Sequence, residues 1–184
     1  MSDPNDLNAF WNDAWVHLAQ GVADGTSPAR YPTFATVGPD SVPQARTVVL
    51  RGADRAAASV EVHTDIETDK VTALRHTPMA ALHIWLPAAD LQIRLTARVE
   101  ILTGAQVDAA WAQVPVAARV SYGTQPVPGT PIAEVYAYEK PADRSRFAVL
   151  KCQLTQMDLV HLDVRHRRAV FTAQDGWQGR WLAP

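Results

Sequence analysis

Residues 46–51 read Arg-Thr-Val-Val-Leu-Arg, and after a short polar turn residues 60–70 read Val-Glu-Val-His-Thr-Asp-Ile-Glu-Thr-Asp-Lys. Two β-rich runs thus carry Arg46, Arg51 and Lys70, with the hydroxyls of Thr64 and Thr68 beside a helix start. Cations and hydroxyls gathered at a helix entry are the groups that hold a phosphate, so the stretch reads as an anion-holding hairpin. Strand alternation puts Arg46, Val48 and Leu50 on one face and Thr47, Val49 and Arg51 on the other. Unless the strand bends, the two arginines either meet different parts of a long ligand or one of them is a solvated edge residue.

Working outward, Leu7, Phe10, Trp11, Ala14, Trp15, Leu18 and Val22 recur at helical spacing. They predict an amphipathic helix within residues 1–25, entered through Asp3-Pro4 and packed on the rest of the chain by its aromatic rings. From Tyr31 the period drops to two. A hairpin is expected over 32–37 and 42–51 around Gly38-Pro39-Asp40, and a third strand over 59–64. Thr68-Asp69-Lys70 opens a short helix, capped by Thr68 or Asp69 and stopped by Thr77-Pro78. Residues 79–86 and 91–102 form two long strands about the turn Pro87-Ala-Ala-Asp90. In the second of them Gln92, Arg94, Thr96 and Arg98 make a polar face that either meets solvent or rims a site. A helix over 105–113 and a turn over 116–120 lead into 121–131, a proline-rich loop expected to cover a ligand or a subunit interface. Strands over 146–161 and 168–172 and a closing segment at 177–182 complete a single domain over 1–184, mainly β with flanking helices.

Composition narrows the function. With 184 residues, 47% of them hydrophobic, the chain has enough apolar material for a substantial core. Seventeen basic against 19 acidic residues, a net charge of −2, give no general basic field to attract nucleic acid. The run Arg165-His166-Arg167-Arg168 is too small a footprint and lacks an aromatic platform. No apolar run approaches the roughly 20 residues that span a bilayer, and the acidic N-terminus is unlike a signal peptide. No membrane partner and a cytoplasmic location are expected. Cys152 lies in an alternating segment and reads as a core or interface residue, since no base sits near it in sequence to make it a nucleophile. His161 and His166, five apart in an extended run, point to opposite faces, so no metal site is expected. Ser121 lacks the Gly-x-Ser-x-Gly elbow of a hydrolase.

The order Arg46-x-Val48-x-Leu50-Arg51, then His63-Thr64 closing the next strand, Lys70 six residues on, and Gln92 within Leu91-Gln92-Ile93-Arg94 resembles the flavin-binding pattern of the pyridoxamine 5′-phosphate oxidase family. The likeness runs from Tyr31 to Thr103 and returns at His166 to Phe171 and at Asp175 to Pro184. It implies an FMN-binding split β-barrel that forms a homodimer with FMN at the subunit interface. FMN asks for charge on its phosphate, polar groups on its pyrimidine edge and a slot for its flat face. The resemblance assigns Arg46, Thr64, Thr68 and Lys70 to the phosphate, with Arg51 and His63 in the same cofactor set. It lays the backbone of Val48, Val49 and Leu50 along the ring and gives Gln92 to the ring or ribityl chain. Arg168 falls to the ring's polar edge, where positive charge favours the reduced, anionic flavin, and Gln125 is the candidate lent by the partner subunit.

The departures from that pattern carry information too. Asp69 stands where many relatives have an arginine, so one phosphate cation is replaced by an acid. In the stretch from Trp111 to Arg119, proline falls where the family's substrate-phosphate arginine belongs and arginine where its serine belongs. Val164 replaces the arginine of the C-terminal Arg-x-His. The expectation is an FMN-dependent oxidoreductase with a small-molecule substrate or electron donor, other than pyridoxine or pyridoxamine phosphate. The alternative is a barrel that holds FMN, or another phosphorylated or tetrapyrrole ligand, without turnover.

Overall fold

The computed structural model describes residues 4–184. Helix α1 (Leu7–Ala23) precedes strands β1 (Thr33–Val37), β2 (Pro43–Thr47), β3 (Leu50–Asp54) and β4 (Ser59–Asp65). Then come helix α2 (Asp69–His76), the long strands β5 (Met79–Leu86) and β6 (Leu91–Leu102), helix α3 (Asp108–Gln113), and strands β7 (Phe147–His161), β8 (Arg167–Thr172) and β9 (Arg180–Leu182).

All pairings are antiparallel, and the central path runs β2-β1-β5-β6-β7-β4-β3. The 15-residue β7 organises it. One edge of β7 pairs with β6 along its length, while the other edge is shared, first with β4 and then with β8. A strand whose partner changes halfway splits the sheet, and a register shift between Thr96 and Ala97 in β6 lets it curl. Inside the curl, Leu82, Ile84, Leu91, Ile93, Leu95, Met157, Leu159 and Phe171 alternate inward and are fully or nearly fully buried. Helix α1 closes one side with Phe10, Trp11, Ala14, Trp15 and Leu18. Trp11 packs 4.9 Å from Phe171 and Phe10 stacks 5.8 Å from Trp181, so the last strand is held by the first helix.

Four details differ from the sequence expectations. Helix α1 is capped by Asp6, whose carboxylate accepts the Ala9 N–H at 2.9 Å. The expected entry at Asp3-Pro4 lies upstream of that cap, and Asp3 is outside the described residues. Thr68 does occupy the N-cap position of α2, but its hydroxyl donates to the Asp65 carbonyl at 2.9 Å and does not cap the helix. The 105–113 helix begins as a 3-10 turn, Gly104–Val107, before α3. The loop after Ser121 is tied by a short bridge between Gln125 and Glu139.

The correction with most consequence is in the opening stretch. Residues 42–51 are not one strand: β2 ends at Thr47 and pairs with β1, and β3 starts at Leu50 and pairs with β4 at the far end of the sheet path. Between them the Val48 N–H donates to the Pro32 carbonyl at 3.0 Å. Val48 and Leu50 are both buried, so the apolar phase is kept through the bend and alternation alone could not reveal it. The bend removes the objection that Arg46 and Arg51 face opposite ways.

Candidate functional site

The bend, the end of β4 and the start of α2 enclose a cleft of about 310 Å³. Arg46, Arg51, His63, Thr64, Thr68 and Lys70 all line it, together with Val48 and Val49. Lys70 Nζ donates to Thr64 Oγ1 at 3.1 Å, and the Thr64 and Thr68 hydroxyls lie 3.3 Å apart. Arg46 is held by neutral acceptors only: Thr36 Oγ1 at 2.8 Å, Gln44 Oε1 at 2.9 Å and the Phe34 and Gln44 carbonyls. Among the described residues, no carboxylate comes within ion-pair distance of Arg46, Arg51 or Lys70.

Burial and then the nearby Arg46 push the Lys70 ammonium below its usual range, with Asp65 and Asp69 pulling it partly back. Burial also lowers Arg46, against Asp69. Partly buried cations without counter-charge are costly, and an entering anion relieves that cost. The donor set therefore fits a phosphate. Asp69 forms no ion pair with these cations.

His63 stands edge-on to Phe147 with ring centroids 5.0 Å apart. Burial, reinforced by Arg51, lowers its pKa from 6.5 to about 4, which keeps the imidazole neutral in the cleft. Between those two values the unfolded chain takes up a proton that the folded chain refuses. The His63 contribution to stability is therefore complete above pH 6.5 and falls as the pH is lowered toward about 4. We expect Tm to drop across that window and the drop to shrink in His63→Phe, which keeps the ring contact. Equal slopes in both proteins would assign the effect to another group.

The other four predicted residues do not line this cleft within one chain: Leu50 is fully buried in the core, where β3 pairs it with Val62, and Gln92, Gln125 and Arg168 lie elsewhere. Gln92 pairs with Val160, which pairs with Arg168, so Gln92 and Arg168 share one row on the polar face of β6, β7 and β8. Gln92 Oε1 lies 3.2 Å from His83 Nε2. Gln125 is exposed, and its backbone bridges to Glu139. Arg168 does not present free charge: its Nε and Nη2 donate to Asp158 at 3.2 and 2.9 Å, and Arg94 donates to the same carboxylate. The buried Asp158 is thus shared by two guanidiniums, and the three groups together keep one net positive charge.

Other residues of the cleft were not singled out from sequence as cofactor ligands. Ser121, Tyr122 and Pro128 form a wall, and Asp65 lies beneath. Tyr122 is buried 4.8 Å from Phe147, and nothing in its local sequence marks it out. The chain turns after His161, so His161 and His166 line one separate cleft of about 730 Å³ with Arg165 and Arg168, contrary to the opposite-face expectation. Among the described residues no cluster of three His, Cys, Asp or Glu side chains could hold a metal. Cys152 is fully buried, and burial pushes its thiol up to about 12, far from a nucleophile's range. No helix is long and apolar enough to cross a membrane among the described residues.

The profile of the pyridoxamine 5′-phosphate oxidase FMN-binding domain matches residues 11–103, a span that holds β1 to β6 and every cleft cation. Pyridoxine/pyridoxamine 5′-phosphate oxidase 2 of Arabidopsis thaliana is 27% identical over 128 residues, 64% of each chain. The pyridoxine/pyridoxamine 5′-phosphate oxidase of Azorhizobium caulinodans is 35% identical over 132 residues, 70% of this chain and 51% of that one. The matched part is therefore about half to two thirds of those relatives' length. Among solved structures, a pyridoxamine 5′-phosphate oxidase-related, FMN-binding protein from Nostoc punctiforme superposes with a TM-score of 0.77 at 24% identity, covering 95% of this chain and 97% of the other. PhzG from Burkholderia lata, solved with tetrahydrophenazine-1-carboxylic acid, gives 0.73 at 18% identity, covering 99% and 95%. These two likenesses establish the fold, a mainly antiparallel split barrel with flanking helices. By its match to that family's domain and by that fold, the chain belongs to the pyridoxamine 5′-phosphate oxidase family.

Proposed function

We propose that the cleft at the β2–β3 bend holds FMN and that the protein is an FMN-dependent oxidoreductase acting as a homodimer on a small molecule. The observation that carries this reading is the convergence of Arg46, Arg51 and Lys70, none with a carboxylate at ion-pair distance among the described residues, on a cleft floored by two threonine hydroxyls. Lys70, Arg46, Thr64 and Thr68 would take the phosphate. Val48 and Val49, free of strand pairing at the bend, would flank the ring with Leu50. When bound, FMN supplies hydride or two-electron transfer. The chain's part is to bind and orient it, to keep His63 neutral beside it, and to wall it from solvent with Tyr122. Gln92, Gln125 and Arg168 lie away from this cleft in their own chain, so in this reading a second copy brings its residues to complete the site. Trp85 and Met79, exposed on the same polar face, support such a contact.

The substrate is proposed to differ from the one in the family's name. Arg119 is turned inward: its Nε donates to the Val114 carbonyl at 3.2 Å, and its guanidinium sits 4.8 Å from the Trp111 ring centroid. Beside Arg51 and His63, the adjoining pocket is lined by Gln113, Val114 and Pro115. Arg30, which also lines it, has its Nη1 held by the Gly21 and Val22 carbonyls, which leaves Arg51 as the one guanidinium of this pocket with no hydrogen bond among the described residues. One free guanidinium next to a neutral imidazole is a weak receptor for a phosphate dianion. We expect no pyridoxal phosphate to form from pyridoxamine or pyridoxine phosphate in steady-state assays of the FMN-loaded protein. Turnover with a micromolar KM would overturn this part of the reading. Reduction of bound FMN by NADH or NADPH, followed with a dye acceptor, separates an oxidoreductase from a barrel that only holds its ligand.

A further inference from the structure

Asp65 is a nearly fully buried carboxylate that touches none of the three cleft cations and yet ties the cleft together. It closes β4, and both of its oxygens are used. Oδ1 accepts the Glu67 N–H at 2.9 Å and Arg146 Nε at 3.0 Å, and Oδ2 accepts the Gly123 N–H at 2.8 Å. Arg146 Nη2 also lies 2.8 Å from Oδ1, near enough for ion pairing but off the line of an N–H bond, so Nε is the donor. The backbone joins the same knot, because the Ile66 N–H donates to the Arg146 carbonyl at 2.8 Å.

Two parts of the cleft depend on this knot. Through its main-chain carbonyl, whose place the anchored carboxylate holds, Asp65 accepts the Thr68 hydroxyl at 2.9 Å and the Thr64 hydroxyl at 3.3 Å, and Thr64 in turn accepts Lys70. That fixes the hydroxyl floor and the direction of the ammonium. Through its carboxylate, Asp65 holds Gly123, next to Tyr122 and Ser121 of the wall. Gly123 sits at φ +126, and a Cβ there would come 2.3 Å from the Pro141 carbonyl oxygen, so the loop reaches Asp65 only because this residue is glycine. The Asp143 N–H then donates to the Tyr122 carbonyl at 2.8 Å and closes the loop back toward Arg146.

We propose that Asp65 is the positioning residue of the phosphate end of this cleft, setting the Thr64–Thr68–Lys70 floor and the Ser121–Tyr122 wall together, so that it determines the preference for a phosphorylated flavin over the same flavin without phosphate. This rests on the FMN reading above and goes beyond it, because Asp65 is not offered as a ligand. Charge-assisted bonds in a buried site have strict geometry, and a neutral side chain of the same shape would leave Arg146 uncompensated.

The test compares FMN with riboflavin, which lacks only the phosphate. Flavin fluorescence quenching gives both Kd values for wild type, Asp65→Asn and the exposed-site control Lys140→Ala. We expect Asp65→Asn to weaken FMN by about tenfold or more while riboflavin changes by less than about twofold, and the control to leave the ratio unchanged. A parallel loss of both flavins, or no loss of either, overturns the proposal, because a merely structural residue would not alter the ratio. Should Asp65→Asn fail to fold, Arg146→Gln, which removes the partner, must lower the ratio in the same direction. Should wild type bind neither flavin, the cofactor reading fails by itself. Inorganic phosphate then decides the positioning claim: its ³¹P resonance should broaden with wild type and not with the folded variant, and equal broadening by both, or none with wild type, overturns it.

Discussion

Lys70→Ala is expected to lower FMN affinity by about 1.5–3 kcal/mol, roughly one to two orders of magnitude in Kd, because in the proposed site it removes a charge-assisted bond to a dianion in a partly desolvated cleft. The reasoning starts from what surrounds the ammonium. Burial and Arg46 both disfavour its charge, and its one hydrogen-bond partner among the described residues is the neutral Thr64 hydroxyl. An anion arriving there meets a cation with no carboxylate at ion-pair distance among the described residues, so little of the attraction is spent on breaking an existing ion pair. Lys140, exposed on the 121–146 loop, has none of these features, and its alanine variant should bind FMN as wild type does. Equal Kd values for the two variants would show that Lys70 is no phosphate ligand.

Phe147→Ala is expected to have a large effect on stability. The ring is fully buried at the start of β7, in a small cluster with Val107, Val114, Tyr122 and Val149 that is separate from the main core. It meets His63, Trp111 and Tyr122 at centroid distances of 5.0, 5.2 and 4.8 Å, so few neighbours are free to collapse into the space it leaves. Truncating a buried phenylalanine costs about 3–5 kcal/mol, and in a chain of this size that lowers Tm by roughly 10 °C. Because the same ring backs both His63 and Tyr122, FMN binding should weaken in the variant as well. A Tm within a degree or two of wild type would mean that the cluster is not under tension from packing and that the cleft wall is held by the Asp65 bonds alone.

Helix α1 and strands β5 and β6 were legible because each keeps one period long enough to define a face: Phe10, Trp11, Ala14 and Leu18 on the helix, and Leu91, Ile93, Leu95 and Ala97 against Gln92, Arg94 and Thr96 on the strand. The cleft ligands on 46–70 were legible for a different reason, since a short stretch carries both the charges and the helix entry. The bend at Val48–Val49 was not, because burial of Val48 and Leu50 imitates an unbroken strand. Asp158 was missed as the counter-charge of Arg168, because their pairing follows from the register of β7 on β8 and from no local signal. The same holds for Asp65, whose partners Gly123 and Arg146 are 58 and 81 residues away. Long-range polar knots of this kind depend on how the sheet closes, which alternation along one strand does not encode.

The central claim, that the β2–β3 bend holds FMN, is tested most directly by mixing the purified protein with excess FMN, removing unbound flavin by gel filtration, and recording the visible spectrum beside a quenching titration. The account predicts retained flavin absorption at about one FMN per chain, with saturable quenching that Lys70→Ala shifts to higher concentration. A colourless protein that leaves FMN fluorescence unchanged would contradict it.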